Sequence, residues 1–208
     1  MTLPIFVPLA YLLGATPTSF WIGRGVYGID LRRHGSGNLG ATNAFRVLGV
    51  RAALPVLLID IAKGWIPAAF FAGWAGASPD SAWPLAFGGA AIMGHVFSPW
   101  VGFRGGKGVA TSAGVLAALA PVAALVCFVG FAVVTAFTRM VSAGSVAAAL
   151  LLTPAILFTP TRGGRAFVAF AVLLATFVIW AHRANIGRIV RGEESQLGVR
   201  DGGAGEAS

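Results

Sequence analysis

The chain has 208 residues, of which 57% are hydrophobic and 11% charged, and its mean hydropathy is +0.81. That is too apolar for an ordinary water-soluble domain, so an integral membrane protein is expected, and the ~20-residue apolar runs taken up below make it all-α. The net charge of +8 comes almost wholly from arginine with no interleaved basic and aromatic patch, which argues against a nucleic-acid surface and for cytoplasmic loops.

Residues 3–23 open with an apolar run that lacks an upstream basic region and a small-residue cleavage site, so a retained span is expected rather than a signal peptide. A polar, glycine-broken segment follows at 24–51, and further apolar runs occupy 52–75 and 83–101. The stretch 109–138 is too long for one crossing: its ~30 residues would reach about 45 Å as a helix, against a hydrocarbon core of about 30 Å. Pro121 lies near its middle, so two short crossings are expected at 108–120 and 121–138. Runs at 142–160 and 165–182 bring the count to about seven transmembrane helices.

The placement of basic residues tests that count. With the N-terminus outside and the C-terminus cytoplasmic, the inner segments hold Arg24, Arg32, Arg33, Arg46, Arg51, Arg104, Lys107, Arg139, Arg183, Arg188, Arg191 and Arg200. The outer loops hold only Arg162 and Arg165, with Asp80. Without a turn at Pro121, Arg139 and the basic tail would move to the outer face and break the positive-inside bias. Residues 1–194 are therefore expected to form one membrane domain, and 195–208 a polar, disordered cytoplasmic tail. No repeat of 20–50 residues is visible. Cys127, the lone cysteine, sits in an apolar run as a small buried side chain would.

Four polar stretches, 24–51, 94–108, 139–145 and 182–194, fall on or just inside the inner face. In "RRHGSGNLGATNAFR", 32–46, Gly35, Gly37 and Gly40 permit close backbone approach, while Ser36, Asn38, Thr42 and Asn43 supply short polar groups before a helical segment carrying Arg46. Such a loop would suit an oxyanion, but by composition alone it reads first as a solvated turn with an N-capped interfacial helix. In "GHVFSPWVGFRGGKGVATSAG", 94–114, Gly105, Gly106 and Gly108 surround Lys107 just before an apolar helix whose first turn holds Thr111 and Ser112. It is no Walker A loop, because Val101 and Gly108 stand where that pattern needs glycine and Ser or Thr. In "HRANIGRIVRGEE", 182–194, His182, Asn185 and Arg188 would share a face of a continued helix, while Arg183 and Arg191 suit contact with lipid headgroups. Ser142 and Ser145 start the sixth span and could each simply bond back to their helix.

Asp60 and Lys63, at i and i+3 within the second span, are either a structural ion pair or part of what holds the site. His34 reads as loop decoration, and His95 as a structural hydrogen-bonding residue or a chemical one. Three histidines in three separate segments lack metal-ligand spacing, so no metal is expected.

"LLGATPTSFWIGR", "GSGNLGATNAFR", "DIAKG", "GHVF" with "GFRGGKGVATSAG", and "HRANIGRIVRGEE" together resemble, in order and spacing, the bacterial acyl-phosphate:glycerol-3-phosphate acyltransferases, the PlsY family. The resemblance runs from about residue 11 to 194. It implies transfer of a fatty acyl group from acyl phosphate to the sn-1 hydroxyl of glycerol 3-phosphate, giving lysophosphatidic acid and inorganic phosphate in phospholipid biosynthesis. It further implies a seven-helix inner-membrane fold with a cytoplasmic active site, no cofactor or metal, and no acyl-CoA or acyl-carrier-protein donor. The substrates and the bilayer are the implied partners, and no obligatory protein partner is inferred.

Carried onto this sequence, the resemblance puts Ser36, Gly37, Asn38, Thr42 and Asn43 around the acyl-phosphate phosphate, with Gly105 and Gly106 shaping the lysine loop. Arg46, Lys107, Ser142, His182 and Asn185 match positions expected to hold glycerol 3-phosphate or bridge the two anions, and Lys107, Ser142, His182 and Asn185 are the catalytic candidates. Arg188, Gly192 and Glu194 complete the last motif. One departure is visible: Ser98 stands where the family has proline after the aromatic of the Gly-His motif, and Pro99 follows. Acyl phosphate is an activated donor, so no nucleophilic side chain is required, and the proton acceptor is either the substrate's own phosphate or His182.

Two other readings have specific expectations. An acyl-CoA-dependent enzyme of the His-x-x-x-x-Asp type would need aspartate five residues after a histidine, where Leu39, Trp100 and Gly187 stand. An organic-phosphate transporter would be expected to bind at the midplane between repeated, broken helices, whereas here the polar stretches crowd one face.

Overall fold

The structure, a computed structural model, describes residues 3–159 and 164–198, and among these the chain is helix and turn without strand. Ten α-helices run in order: α1 Leu3–Ala15, α2 Thr18–Val26, α3 Ala41–Leu48, α4 Val50–Trp74, α5 Trp83–Val96, α6 Val109–Leu119, α7 Pro121–Thr138, α8 Val141–Phe158, α9 Gly164–Ala181 and α10 Arg183–Val190. By length and composition α4, α7, α8 and α9 suit a membrane crossing, and the bent pair α1 and α2 counts as a fifth if the two form one broken span. α6 is a shorter apolar helix.

The first apolar run differs from the continuous span expected over 3–23. Pro17 has no N–H to donate and disfavours helix at Thr16, so the chain breaks there and α2 leaves α1 at 40°. The carbonyl of Thr16 accepts from Lys63 Nζ at 2.9 Å, so a buried cation on α4 caps the break. The third run also stops early. α5 ends at Val96, and Pro99 starts a short 3-10 turn, Pro99–Val101, instead of extending the helix to 101. Ser98 is 1% exposed and donates to the carbonyl of Ala15, tying this turn to the end of α1.

The expected turn at Pro121 is present: α6 closes at Leu119 and Pro121 sits in the first turn of α7, where its missing N–H is harmless. Residues 160–163, including Arg162, lie outside the described residues, as do Arg200 and the rest of 199–208.

Small residues decide how the helices pack. A Cβ on Gly64 of α4 would lie 2.1 Å from the carbonyl oxygen of Thr111 on α6, and one on Gly114 of α6 would lie 2.0 Å from that of Ile61 on α4. The two backbones approach to contact, as apolar helices in lipid do when no hydrophobic drive holds them together. Between α6, α7, α8 and α9 lies the main apolar core, around Val115, Ala123, Leu152, Phe167 and Ala171. A second core, Leu31, Leu39, Ala44, Val56 and Val101, sits under the glycine loop before α3 and fixes it to α4.

Candidate active site

The loop between α2 and α3 is built from its own side chains. Asp30 caps the 3-10 turn Leu31–Arg33, and its Oδ2 lies 2.6 Å from Arg32 Nη2. That hydrogen-bonded guanidinium holds the Asp30 carboxyl down at about 2. Asn43, on the first turn of α3 and 1% exposed, reaches back into the loop. Its Nδ2 donates to the carbonyls of Leu31 and His34, and its Oδ1 accepts from the Ser36 N–H at 2.9 Å. Gly35 is required beneath it, because a Cβ there would lie 2.3 Å from Asn43 Oδ1 and φ is +59°. Asn43 thus uses its polar atoms to shape the loop, and it leaves Ser36 exposed with Gly37 and Asn38 half-buried beside it. Arg46 stands exposed on α3.

The lysine loop meets this first loop at one point. Gly106 packs so closely that a Cβ on it would lie 2.8 Å from the carbonyl oxygen of Leu39 and 2.1 Å from Nε2 of His95. Lys107 follows directly and donates to Oδ1 of Asn185 on α10. Burial pushes its ammonium down to about 8; Glu194 opposes that shift, and Arg188 and Arg46 reinforce it.

The C-terminal motif folds back to complete the cluster. The helix does not continue through His182 as the spacing suggested: α9 ends at Ala181, and His182 precedes a separate helix, α10. Asn185 and Arg188 still converge, because both meet Glu194. Glu194 Oε1 accepts from Ser142 Oγ at 2.7 Å and from Asn185 Nδ2 at 2.6 Å, and its Oε2 accepts from Arg188 Nε at 2.7 Å. Burial works against the charge on Glu194, and those three hydrogen bonds outweigh it, lowering its pKa. Gly192, with φ of +71°, supplies the turn that brings Glu194 inward, while Glu193 pairs with Arg191 on the surface. His182 is 3% exposed, with Nδ1 2.8 Å from the Val178 carbonyl. A carbonyl accepts only from N–H, so the proton sits on Nδ1 and Nε2 is left as an acceptor.

The structure therefore gathers Ser142, Asn185 and Arg188 on Glu194 and joins Lys107 to them through Asn185, with Arg46 and His182 within electrostatic reach of Lys107. Ser36, Asn38 and Thr42 make no hydrogen bond to that cluster. Thr42 instead lines a largely apolar groove of about 510 Å³ that passes Val109, Val141 and Leu197 and runs between α6, α7, α8 and α9 to Leu116, Ala124 and Leu152. The groove thus reaches Val109, two residues past Lys107, and Val141, next to Ser142. Sequence reasoning named Glu194 only as the end of a motif, and the signal for its central place was modest: a carboxylate two residues past Gly192 in a run otherwise dominated by arginine.

The family model for glycerol-3-phosphate acyltransferase matches residues 4–192 of this chain. A glycerol-3-phosphate acyltransferase of Fusobacterium nucleatum subsp. nucleatum is 41% identical over 192 residues, covering 92% of this chain and 96% of that protein. One from Listeria monocytogenes serovar 1/2a is 43% identical over 189 residues, covering 91% and 93%. The crystal structure of PlsY, an integral membrane glycerol 3-phosphate acyltransferase, in its glycerol 3-phosphate form matches with a TM-score of 0.85 at 34% identity, covering 95% of this chain and 96% of that one. Its lysophosphatidic acid form matches with a TM-score of 0.82 at 33% identity, with the same coverage.

Proposed function

The chain belongs to the glycerol-3-phosphate acyltransferase family, and we propose that it transfers a fatty acyl group from acyl phosphate to the sn-1 hydroxyl of glycerol 3-phosphate, releasing lysophosphatidic acid and inorganic phosphate. The observation that carries this reading is a cluster of cations and neutral donors around Lys107 at the edge of a long apolar groove. Two phosphorylated substrates must be brought together there, and one of them trails a hydrocarbon chain that the groove fits.

In this reading Lys107 and Arg46 hold the phosphate of glycerol 3-phosphate, with Ser142 and Asn185 ordered on Glu194 beside them. Ser36, Gly37, Asn38 and Thr42 seat the acyl-phosphate phosphate in a loop whose shape Asn43 sets, and Gly105 and Gly106 let the lysine loop pass close to it. The acyl chain lies in the groove. The hydroxyl attacks the acyl carbonyl, the C–O bond to phosphate breaks, and phosphate leaves with the electron pair. The hydroxyl proton passes to Nε2 of His182 or to a substrate phosphate oxygen. The protein contributes orientation and charge stabilisation, and no covalent intermediate is needed.

The same reading places the chain in the bacterial inner membrane with about seven crossings, the N-terminus outside and the cluster facing the cytoplasm. The convergence of the 31–46, 105–107, 139–142 and 182–194 segments at one end of the helices, with arginine concentrated there, supports it. The test is phosphate release from palmitoyl phosphate by the purified protein, with and without glycerol 3-phosphate, beside a palmitoyl-CoA control. Release that requires glycerol 3-phosphate and has no acyl-CoA counterpart is the expected outcome. Equal turnover of palmitoyl-CoA would overturn the choice of donor.

A further inference from the structure

Beneath the lysine loop lies a buried charged cluster that the proposed reaction does not use. Asp60 and Lys63 on α4 are 2% and 3% exposed and pair at 2.7 Å. Thr18 of α2 donates to the same carboxylate oxygen at 3.1 Å, and Nδ1 of His95 on α5, with no hydrogen-bond partner, stands 3.8 Å from it. Lys63 also caps the Thr16 carbonyl at the α1–α2 break. Burying an ion pair costs desolvation that its attraction often fails to offset, so stability alone is a poor account of this arrangement.

His95 connects the cluster to the site. Its carbonyl accepts the Gly106 N–H at 3.2 Å, and the neighbouring Val96 carbonyl accepts the Gly105 N–H at 2.9 Å. Its imidazole and the Leu39 carbonyl occupy the space a side chain on Gly106 would need, so both α5 and the first glycine loop pack directly against the lysine loop there. Lys107 is the next residue. None of Asp60, Lys63 and His95 hydrogen-bonds to Lys107, Asn185 or Glu194, so any influence on the site passes through that backbone.

We propose that His95, backed by the Asp60–Lys63 pair, is a positioning residue that fixes the Gly105–Gly106 backbone so that the Lys107 ammonium meets Asn185 and the substrate phosphate. The proposal rests on the role given to Lys107 above. Asp60 is the anchor, since one oxygen faces Thr18 of α2, Lys63 of α4 and His95 of α5; Lys63 pairs with that oxygen while bracing the α1–α2 break.

The experiment uses His95→Phe, which keeps a flat ring and removes the nitrogen facing Asp60, and Thr18→Val, a milder probe that removes only the hydrogen bond to Asp60. Each is made in the wild-type and Lys107→Ala backgrounds. The expected loss of kcat/KM for glycerol 3-phosphate is about tenfold to a hundredfold for His95→Phe, the range that misplacement of a distant support produces. In the Lys107→Ala background the same substitution should cost nothing further, because its effect runs through the missing ammonium. A second readout needs no turnover. The chain has two lysines, so amine labelling followed by mass spectrometry reports Lys107 separately from Lys63. Labelling of Lys107 should rise severalfold in His95→Phe and less in Thr18→Val, at unchanged melting temperature for Thr18→Val. Losses that multiply with Lys107→Ala, or labelling that stays at the wild-type rate in both variants, would overturn the proposal. If wild-type protein made no lysophosphatidic acid, the enzymatic reading would fall while the labelling still decided this one.

Discussion

Nδ2 of Asn185 lies 2.6 Å from Oε1 of Glu194, and this orients the amide so that its oxygen receives the Lys107 ammonium. A carboxylate in place of that amide would keep an acceptor for Lys107 and lose the donor to Glu194. Asn185→Asp should therefore set two carboxylates against each other and destabilise the folded protein by about 2–3 kcal/mol, with loss of most acyl transfer. Adding Glu194→Gln should restore part of the melting temperature. A double variant no more stable than Asn185→Asp alone would show that the two side chains are not coupled.

In the proposed reaction Lys107 should set an alkaline limit. With its ammonium held down to about 8, the charge proposed to bind phosphate is present below that pH and fades above it. The KM for glycerol 3-phosphate should rise through and above pH 8, and the rise should vanish in Lys107→Arg, which stays charged. For the substrate-free protein the sign is opposite. The unfolded chain keeps the lysine proton up to its ordinary value of 10.5, so between about 8 and 10.5 the unfolded state binds more protons and the Lys107 contribution to stability improves as pH rises. Comparing thermal melts of wild type and Lys107→Met across that window checks the sign, since only the wild type should carry this term.

Gly114 and Gly64 set the distance between α4 and α6. With a Cβ at Gly114 falling 2.0 Å from the Ile61 carbonyl oxygen, Gly114→Val must push the helices apart. A loss of about 1–3 kcal/mol is expected, within the range for overpacking. Thermal denaturation in detergent measures it, and a variant as stable as wild type would mean the helices do not pack at this separation.

The groove should set acyl-chain length. Ala149 on α8 lines it about 12 Å along the helix from Val141, taking 1.5 Å per residue. Ala149→Phe should obstruct its inner part, cutting kcat/KM for palmitoyl phosphate at least about tenfold, as the loss of burial for two or more methylenes implies. Butyryl phosphate should be little affected. An equal loss for both donors would place the chain elsewhere.

Much of this arrangement was legible in the residues themselves. The apolar runs located the helices, and Pro121 marked the turn between α6 and α7 because proline suits the first turn of a helix and breaks its interior. The break at Thr16–Pro17 was less visible, since the hydropathy of 3–23 is continuous and what makes the break tolerable is Lys63, 47 residues away. The glycines around Lys107 were readable as a close-approach loop, but not what they approach: His95 and Leu39 reach Gly106 only through the packing of α5 and the first loop. Asn43 was placed at an anion by its company in the motif, whereas its three hydrogen bonds turn inward and the loop it ties is what faces outward. Glu194 was hardest to weigh, because a carboxylate at the end of a basic run reads as surface until Gly192 turns it toward Ser142.

Asn185 lies 78 residues beyond Lys107, and Glu194 follows it. At about 5–20 residues per second, a ribosome adds that length in roughly 4–16 s, during which Lys107 has been made and Asn185 has not. Through that interval the nascent chain holds Lys107 without the amide that meets it in the folded protein. Messages cut short before residue 194 would give fragments in which the lysine loop is still held by the His95 and Val96 carbonyls, while Asn185, if made, has no Glu194 to orient it toward Lys107.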